Sequence, residues 1–174
     1  MSDYQAPLRD MQFILNEVFE ASKLWGQFPA LHDFIDSETA DAILNEAGKL
    51  AAEVLAPLNR PGDEQGCQWQ DGRVTTPQGF VEAYKAFSEG GWGGVAGDAS
   101  HGGMGMPKML STLVDEIVNA ANLSFGLYPM LTAGACMAIN AHASETLKGQ
   151  YLSRMYSGEW TGTMCLTETH AGTG

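Results

Sequence analysis

Gly158-Glu-Trp-Thr-Gly-Thr-Met-Cys-Leu-Thr-Glu-Thr-His-Ala-Gly-Thr-Gly174 is the stretch in which the pattern of the chain changes. Before it, apolar residues recur at helical spacing. Within it, Thr161, Thr163, Cys165 and Thr167 alternate with Gly162, Met164 and Leu166, the period of two that marks a strand. Ala171-Gly172-Thr173-Gly174 then reads as a turn whose small residues expose backbone N–H groups and a hydroxyl, a nest able to cradle a phosphate. The division this predicts is a helical domain over 1–158 and a strand-bearing segment over 159–174.

Outward from that stretch, helices follow one another. Ser144 caps the last of them, which carries Leu147, Tyr151, Leu152 and Met155. A helix over roughly 127–143 is dominated by small residues that permit close packing. Pro107 opens another, where Met109, Leu110, Leu113, Val114, Ile117, Val118 and Ala121 repeat the i, i+3, i+4 pattern. A glycine-dense loop precedes it, and before the loop Phe80, Val81, Tyr84 and Phe87 supply a buried face. Thr76-Pro77 has the N-cap/N1 form of that helix's start. Asp71-Gly72 closes a short hairpin between Trp69 and Val74. The clearest helix starts at Asp36 or Ser37, with Ala40, Ile43, Leu44, Ala47, Leu50, Ala51, Val54 and Leu55 on one stripe, and Pro57 ends it. A first helix over Leu8 to Trp25 carries Met11, Phe13, Ile14, Leu15, Val18, Phe19 and Leu24 and stops before Phe28-Pro29. The expected fold is all-α, an irregular bundle of about six helices with short connections and one C-terminal strand.

Composition narrows the function. With 174 residues, 44% hydrophobic and 17% charged, the chain reads as one globular domain with a sizeable core. A net charge of -12 argues against nucleic acids and anionic membranes, both of which need Lys/Arg clusters. Cys67, Cys136 and Cys165 are widely spaced, odd in number and without a CxxC, which fits a reducing cytoplasm. Met1-Ser-Asp-Tyr4 has neither the basic nor the apolar region of a signal peptide. No apolar run approaches the ~20 residues of a membrane span.

Three chemical patterns carry little weight. Gly91-Trp-Gly-Gly-Val-Ala96 matches G-x-G-x-x-A, but dinucleotide binding needs a strand before it and a helix directly after, and here a helix precedes and loop follows. Cys165 and His170 resemble a thiol and base, yet no third group orients them. His32, His101, His142 and His170 stand apart, without a ligand spacing for a metal.

The run Gly158–Thr173 resembles the flavin-binding signature of the acyl-CoA dehydrogenases, in which Thr-Glu-Pro-x-Ala-Gly-Ser-Asp follows a strand. His101-Gly-Gly-Met-Gly-Met-Pro107 and Tyr151-Leu-Ser-Arg-Met-Tyr-Ser-Gly158 agree with that family. Leu58–Cys67 and Thr76-Pro-Gln-Gly-Phe80 resemble its longer-chain branch, which includes the 3-methylmercaptopropionyl-CoA dehydrogenases. The resemblance covers nearly the whole chain, and only the N-terminal third of such an enzyme. It implies FAD as cofactor, with the Thr167 hydroxyl and the backbone around Met164, Cys165 and Leu166 facing the isoalloxazine ring. Gly172 and Thr173 would meet the pyrophosphate, and Thr173 also the thioester. Gly126, Leu127 and Met130, within Phe125–Leu131, fall where the family lines its acyl-chain tunnel. Two positions depart from the signature. Thr169 replaces the usual Pro, which frees φ and raises the entropy cost of ordering the loop. Gly174 replaces the usual Asp, which removes an acceptor able to brace the turn.

The resemblance further implies α,β-desaturation of an acyl-CoA in fatty acid metabolism, electron-transfer flavoprotein as electron acceptor, and a homo-oligomer when complete. The family's catalytic glutamate belongs to a C-terminal bundle, and no residue here matches it. Glu168 belongs to the loop signature instead. The expectation is therefore a truncated or excerpted N-terminal part, inactive by itself. The rival reading is a stand-alone, non-catalytic helical interaction module.

Overall fold

Asp36 begins the helical run on which the first part of the chain is built. Its carboxylate accepts the Thr39 N–H at 2.8 Å and so caps α3, which follows over Ser37–Leu50.

 The computed structural model describes residues 4–31, 34–163, 165, 167–170 and 172.

Before α3 lie α1 (Leu8–Phe13), a π-turn (Ile14–Val18) and α2 (Ala21–Trp25). The single first helix expected over Leu8 to Trp25 is thus two helices. Glu20 takes the left-handed conformation at φ 46°, and a β-carbon there strains the backbone enough to end a helix. Met11, Leu15, Ala21 and Trp25 are buried, while Phe13, Ile14, Val18, Phe19 and Leu24 are exposed, so only part of the apolar set enters the core.

Along α3 the buried positions are Ala40, Leu44, Ala47 and Gly48, continued by Ala51 and Leu55. The spacing is that of one helix face, as expected. The helix does not stop at Pro57. A π-turn over Ala51–Leu55, closed by the Ala56 N–H on the Ala51 carbonyl, leads into α4 (Ala56–Gln65). Proline lacks an N–H and its ring crowds the carbonyl four residues back. The wider π-turn loosens the ladder at that point, and the proline sits in the first turn of α4.

The hairpin forms as its turn requires. β1 (Gln68–Gln70) pairs antiparallel with β2 (Arg73–Thr75), Trp69 opposite Val74, and both Asp71 and Gly72 have positive φ. Helix α5 (Phe80–Glu89) starts three residues after the expected Thr76-Pro77. Gly79 occupies its N-cap with φ 88°, where a β-carbon would meet the Leu58 side chain at 2.7 Å. Helix α6 (Lys108–Ala121) follows Pro107 as expected and buries Leu110, Val114, Ile117, Val118 and Ala121. Helix α7 spans Leu123–His142, and Ser144 caps α8 (Glu145–Tyr156) through the Leu147 N–H.

The chain forms two compact units. The first comprises residues 1–90 and 106–127, with α3 and the π-turn after it packed on α6, and Phe125 set edge-on to Phe87 at 5.6 Å. The second comprises residues 91–105 and 128–174. Its core is Cys136, Leu152, Met155 and Tyr156, with Ile139, Tyr151 and Trp160 packed around them.

The fold is all-α, and the hairpin is the one sheet among the described residues. The terminal strand expected over 161–166 does not appear in Thr161, Gly162, Thr163 or Cys165, and Glu168 makes a single bridge; Met164 and Leu166 lie outside the described residues. A strand needs a neighbour to take its backbone hydrogen bonds. Contrary to the expectation from the sequence, helix α7, 20 residues long and with an 18-residue window of mean hydropathy 1.2, is long and apolar enough to cross a membrane by length and composition alone. The sequence run hid this because Thr132 and Asn140 interrupt it; Phe125, Thr132 and Cys136 on this helix are buried within the protein.

Candidate functional site

The signature segment belongs to the second unit and follows directly on α8. After α8 the chain turns at Gly158, whose φ is 77°, and the Trp160 N–H donates to the Arg154 carbonyl at 3.0 Å. The Trp160 ring lies 5.8 Å from the Tyr151 ring, and the Arg154 guanidinium stacks over it at 4.5 Å. Two residues on, the Gly162 N–H donates to Thr132 Oγ1 at 3.1 Å. From there Thr163, Cys165, Thr167 and Gly172 are all exposed. Of the residues expected to meet a flavin, Met164, Leu166 and Thr173 lie outside the described residues.

The flavin fit rests on what the visible residues offer. The Thr167 hydroxyl is exposed, and no described residue lies within 4 Å of the position a β-carbon on Gly172 would take. Both are therefore free to approach a polar ligand edge, as a flavin and its pyrophosphate demand.

The acyl-chain residues divide. Gly126 is buried against α6, where a β-carbon would come 2.1 Å from Asn119 Oδ1, so its small size serves helix–helix packing. Leu127 and Met130, three residues apart on α7, are 47% and 49% exposed. They offer apolar surface to a further group.

The glycine loop is explained by packing. A β-carbon on Gly97 would lie 2.7–2.9 Å from the Tyr156 ring, and one on Gly103 would lie 2.2 Å from the Gly97 backbone. Burial raises the Tyr156 hydroxyl pKa, partly offset by a hydrogen bond from the Asp98 backbone. With α5 before it and 3₁₀ turns at Trp92–Gly94 and Ala99–His101 inside it, the loop lacks the strand–turn–helix context of a dinucleotide site.

Remaining nucleophiles and ligands do not converge. Burial pushes the Cys136 thiol up to about 11, while Cys67 and Cys165 are exposed free thiols. Among the described residues no group of three His, Cys, Asp or Glu side chains is placed to hold a metal. Within the first unit a shallow groove of about 660 Å³ lies between Gln5, Ala6 and Leu8 and the Asn45, Gly48 and Lys49 positions of α3. Sequence reasoning missed Thr132 altogether. Its only signal was a threonine inside an apolar helix, and such residues often bond their own helix instead.

Residues 37–159 match the family model described as acyl-CoA dehydrogenase, N-terminal domain. The chain is 42% identical over 171 residues to a 3-methylmercaptopropionyl-CoA dehydrogenase of Ruegeria pomeroyi, covering 97% of this chain and 28% of the relative. It is 38% identical over 173 residues to a butyryl-CoA dehydrogenase of Syntrophomonas wolfei, with 98% and 28% covered. A broad-specificity linear acyl-CoA dehydrogenase of Mycobacterium tuberculosis is 30% identical over 174 residues, with 99% and 28% covered. The chain belongs to the acyl-CoA dehydrogenase family and corresponds to its N-terminal helical domain. It spans 28% of the length of these curated relatives.

Proposed function

We propose that this chain is the N-terminal part of a FAD-dependent acyl-CoA dehydrogenase and supplies one wall of the flavin and acyl-CoA site. The observation that carries the reading is the signature segment, which leaves the helical platform at Gly162 and presents Thr163, Cys165, Thr167 and Gly172 to solvent. When bound, FAD would supply the acceptor for the hydride removed from the acyl β-carbon. The residues of this chain bind and orient. Thr167 and the backbone of 164–166 would hydrogen-bond the ring edge, and Gly172 and Thr173 the pyrophosphate. Thr173 would also reach the thioester, and Leu127 and Met130 would cover apolar acyl carbons. The region over 159–174 would begin a β-domain.

Other parts of the reading rest on the family. The parent reaction is α,β-desaturation of an acyl-CoA, with electron-transfer flavoprotein as acceptor, in the cytoplasm and in a homo-oligomer. No residue here stands in the role of the α-proton base. A dehydrogenase must hold base, thioester and flavin together, since much of its rate comes from orientation. The chain alone would therefore not turn over.

Titration with FAD tests this reading. A few hydrogen bonds from one wall do not offset the cost of immobilising a ligand. The purified chain should be colourless, and millimolar FAD should shift amide resonances only around 163–173. Octanoyl-CoA with an artificial electron acceptor should give a rate equal to buffer. FAD shifts scattered over the helices, or none at all, would refute the flavin wall; measurable desaturation would refute the inactivity.

A further inference from the structure

Thr132 holds a position that packing alone does not demand. It lies in the middle of α7, is 8% exposed, and directs its hydroxyl oxygen at a backbone N–H thirty residues further along the chain. That N–H belongs to Gly162, whose Cα rests against the same helix. A β-carbon there would lie 2.7 Å from Ala135 Cβ, 3.2 Å from Met155 Cε and 3.3 Å from Thr132 Cα. Close approach is thus available to glycine alone, and the hydrogen bond fixes the approach at one point along α7.

Two residues earlier a second attachment acts in the same direction. The Trp160 N–H is held by the Arg154 carbonyl, and its ring sits beside Tyr151 and under Arg154. Trp160 and Gly162 are therefore fixed to α8 and α7 respectively, while Thr163 and Thr167 beyond them are exposed. A binding segment anchored at its root has less freedom to lose when a ligand orders its tip.

We propose that Thr132 is a positioning residue for the flavin-binding segment: its hydroxyl, with the Gly162 contact on Ala135, sets where and in which direction that segment leaves the helices. The proposal rests on the flavin reading for its purpose, though not for its geometry. Thr132 acts through the backbone of Gly162.

Amide exchange in this chain is the test. Thr132→Val keeps the shape and removes the acceptor, and should speed exchange at Gly162 and Thr163 about fivefold, the change that loss of an ordinary hydrogen bond gives. Exchange in α3 and α8 should be unaltered, and Thr132→Ser should restore the wild-type rate. Gly162→Ala should speed the same amides, and pairing it with Ala135→Gly should reverse part of the effect. FAD-induced shifts at Thr163 and Thr167 should shrink in Thr132→Val and recover in Thr132→Ser. Unchanged exchange at Gly162 in Thr132→Val, or equal acceleration throughout α8, would overturn the proposal. If wild-type protein shows no FAD shifts while the exchange pattern holds, the flavin reading fails and the anchor stands.

Discussion

The Asn122 side-chain amide donates to the Leu55 carbonyl at 3.1 Å, joining two buried residues 67 positions apart. The Asn122 carboxamide oxygen meanwhile accepts the Phe125 N–H at 3.1 Å and the Ser124 hydroxyl at 2.9 Å, so one side chain caps α7 and ties it to the end of the π-turn. Removing it strands buried polar groups, each of which costs ~1–3 kcal/mol. Asn122→Ala should lower unfolding free energy by about 2–4 kcal/mol, read from urea denaturation. Asn122→Asp should cost as much, because it keeps the acceptor and loses the donor.

Core truncations should rank by burial. Leu44 and Leu110 are fully buried, whereas Leu113 is only partly so despite its place on the apolar stripe. Leu44→Ala and Leu110→Ala should each cost ~2–5 kcal/mol, with Leu113→Ala below that range. Thr167→Ala, at an exposed site, should stay within about 0.5 kcal/mol. Thermal melts of the four variants check the order.

Glycines should respond in opposite directions. Gly103→Ala places a β-carbon 2.2 Å from the Gly97 backbone and should destabilise by ~1–3 kcal/mol or more, as overpacking does. Gly134 is inside α7, and no described residue lies within 4 Å of the position its β-carbon would take. Gly134→Ala should stabilise by about 0.5–1 kcal/mol, the helical advantage of alanine. Calorimetry of the two variants would show shifts of opposite sign.

The thiols should differ in reactivity. Cys136 is buried with its pKa raised from 9.0 to about 11, while Cys67 and Cys165 are exposed. Iodoacetamide at pH 8 should label Cys67 and Cys165 in the native protein and reach Cys136 only after unfolding, as mass spectrometry would report. The native state keeps the Cys136 proton to higher pH than the unfolded chain does. Stability from this group is therefore constant below about 9 and declines as pH rises towards 11. Cys136→Ala should remove that part of the decline.

Much of this protein was legible one residue at a time. Asp36 and Ser144 are caps because their side chains reach an N–H three residues away, and Asp71-Gly72 turns because both residues tolerate positive φ. The stripe from Ala40 to Leu55 and the signature from Gly158 onward are likewise local patterns. Such features depend on neighbours within a turn or two, and sequence order alone determines those neighbours. Tertiary structure decided the rest. It carried the helix through Pro57 by means of a π-turn, and left Phe13, Val18 and Phe19 exposed while burying Met11 and Leu15. It also set Gly97 against Tyr156, Asn122 against Leu55 and Thr132 against Gly162. Each of these joins residues tens of positions apart, and periodicity says that a face is buried without saying what it meets.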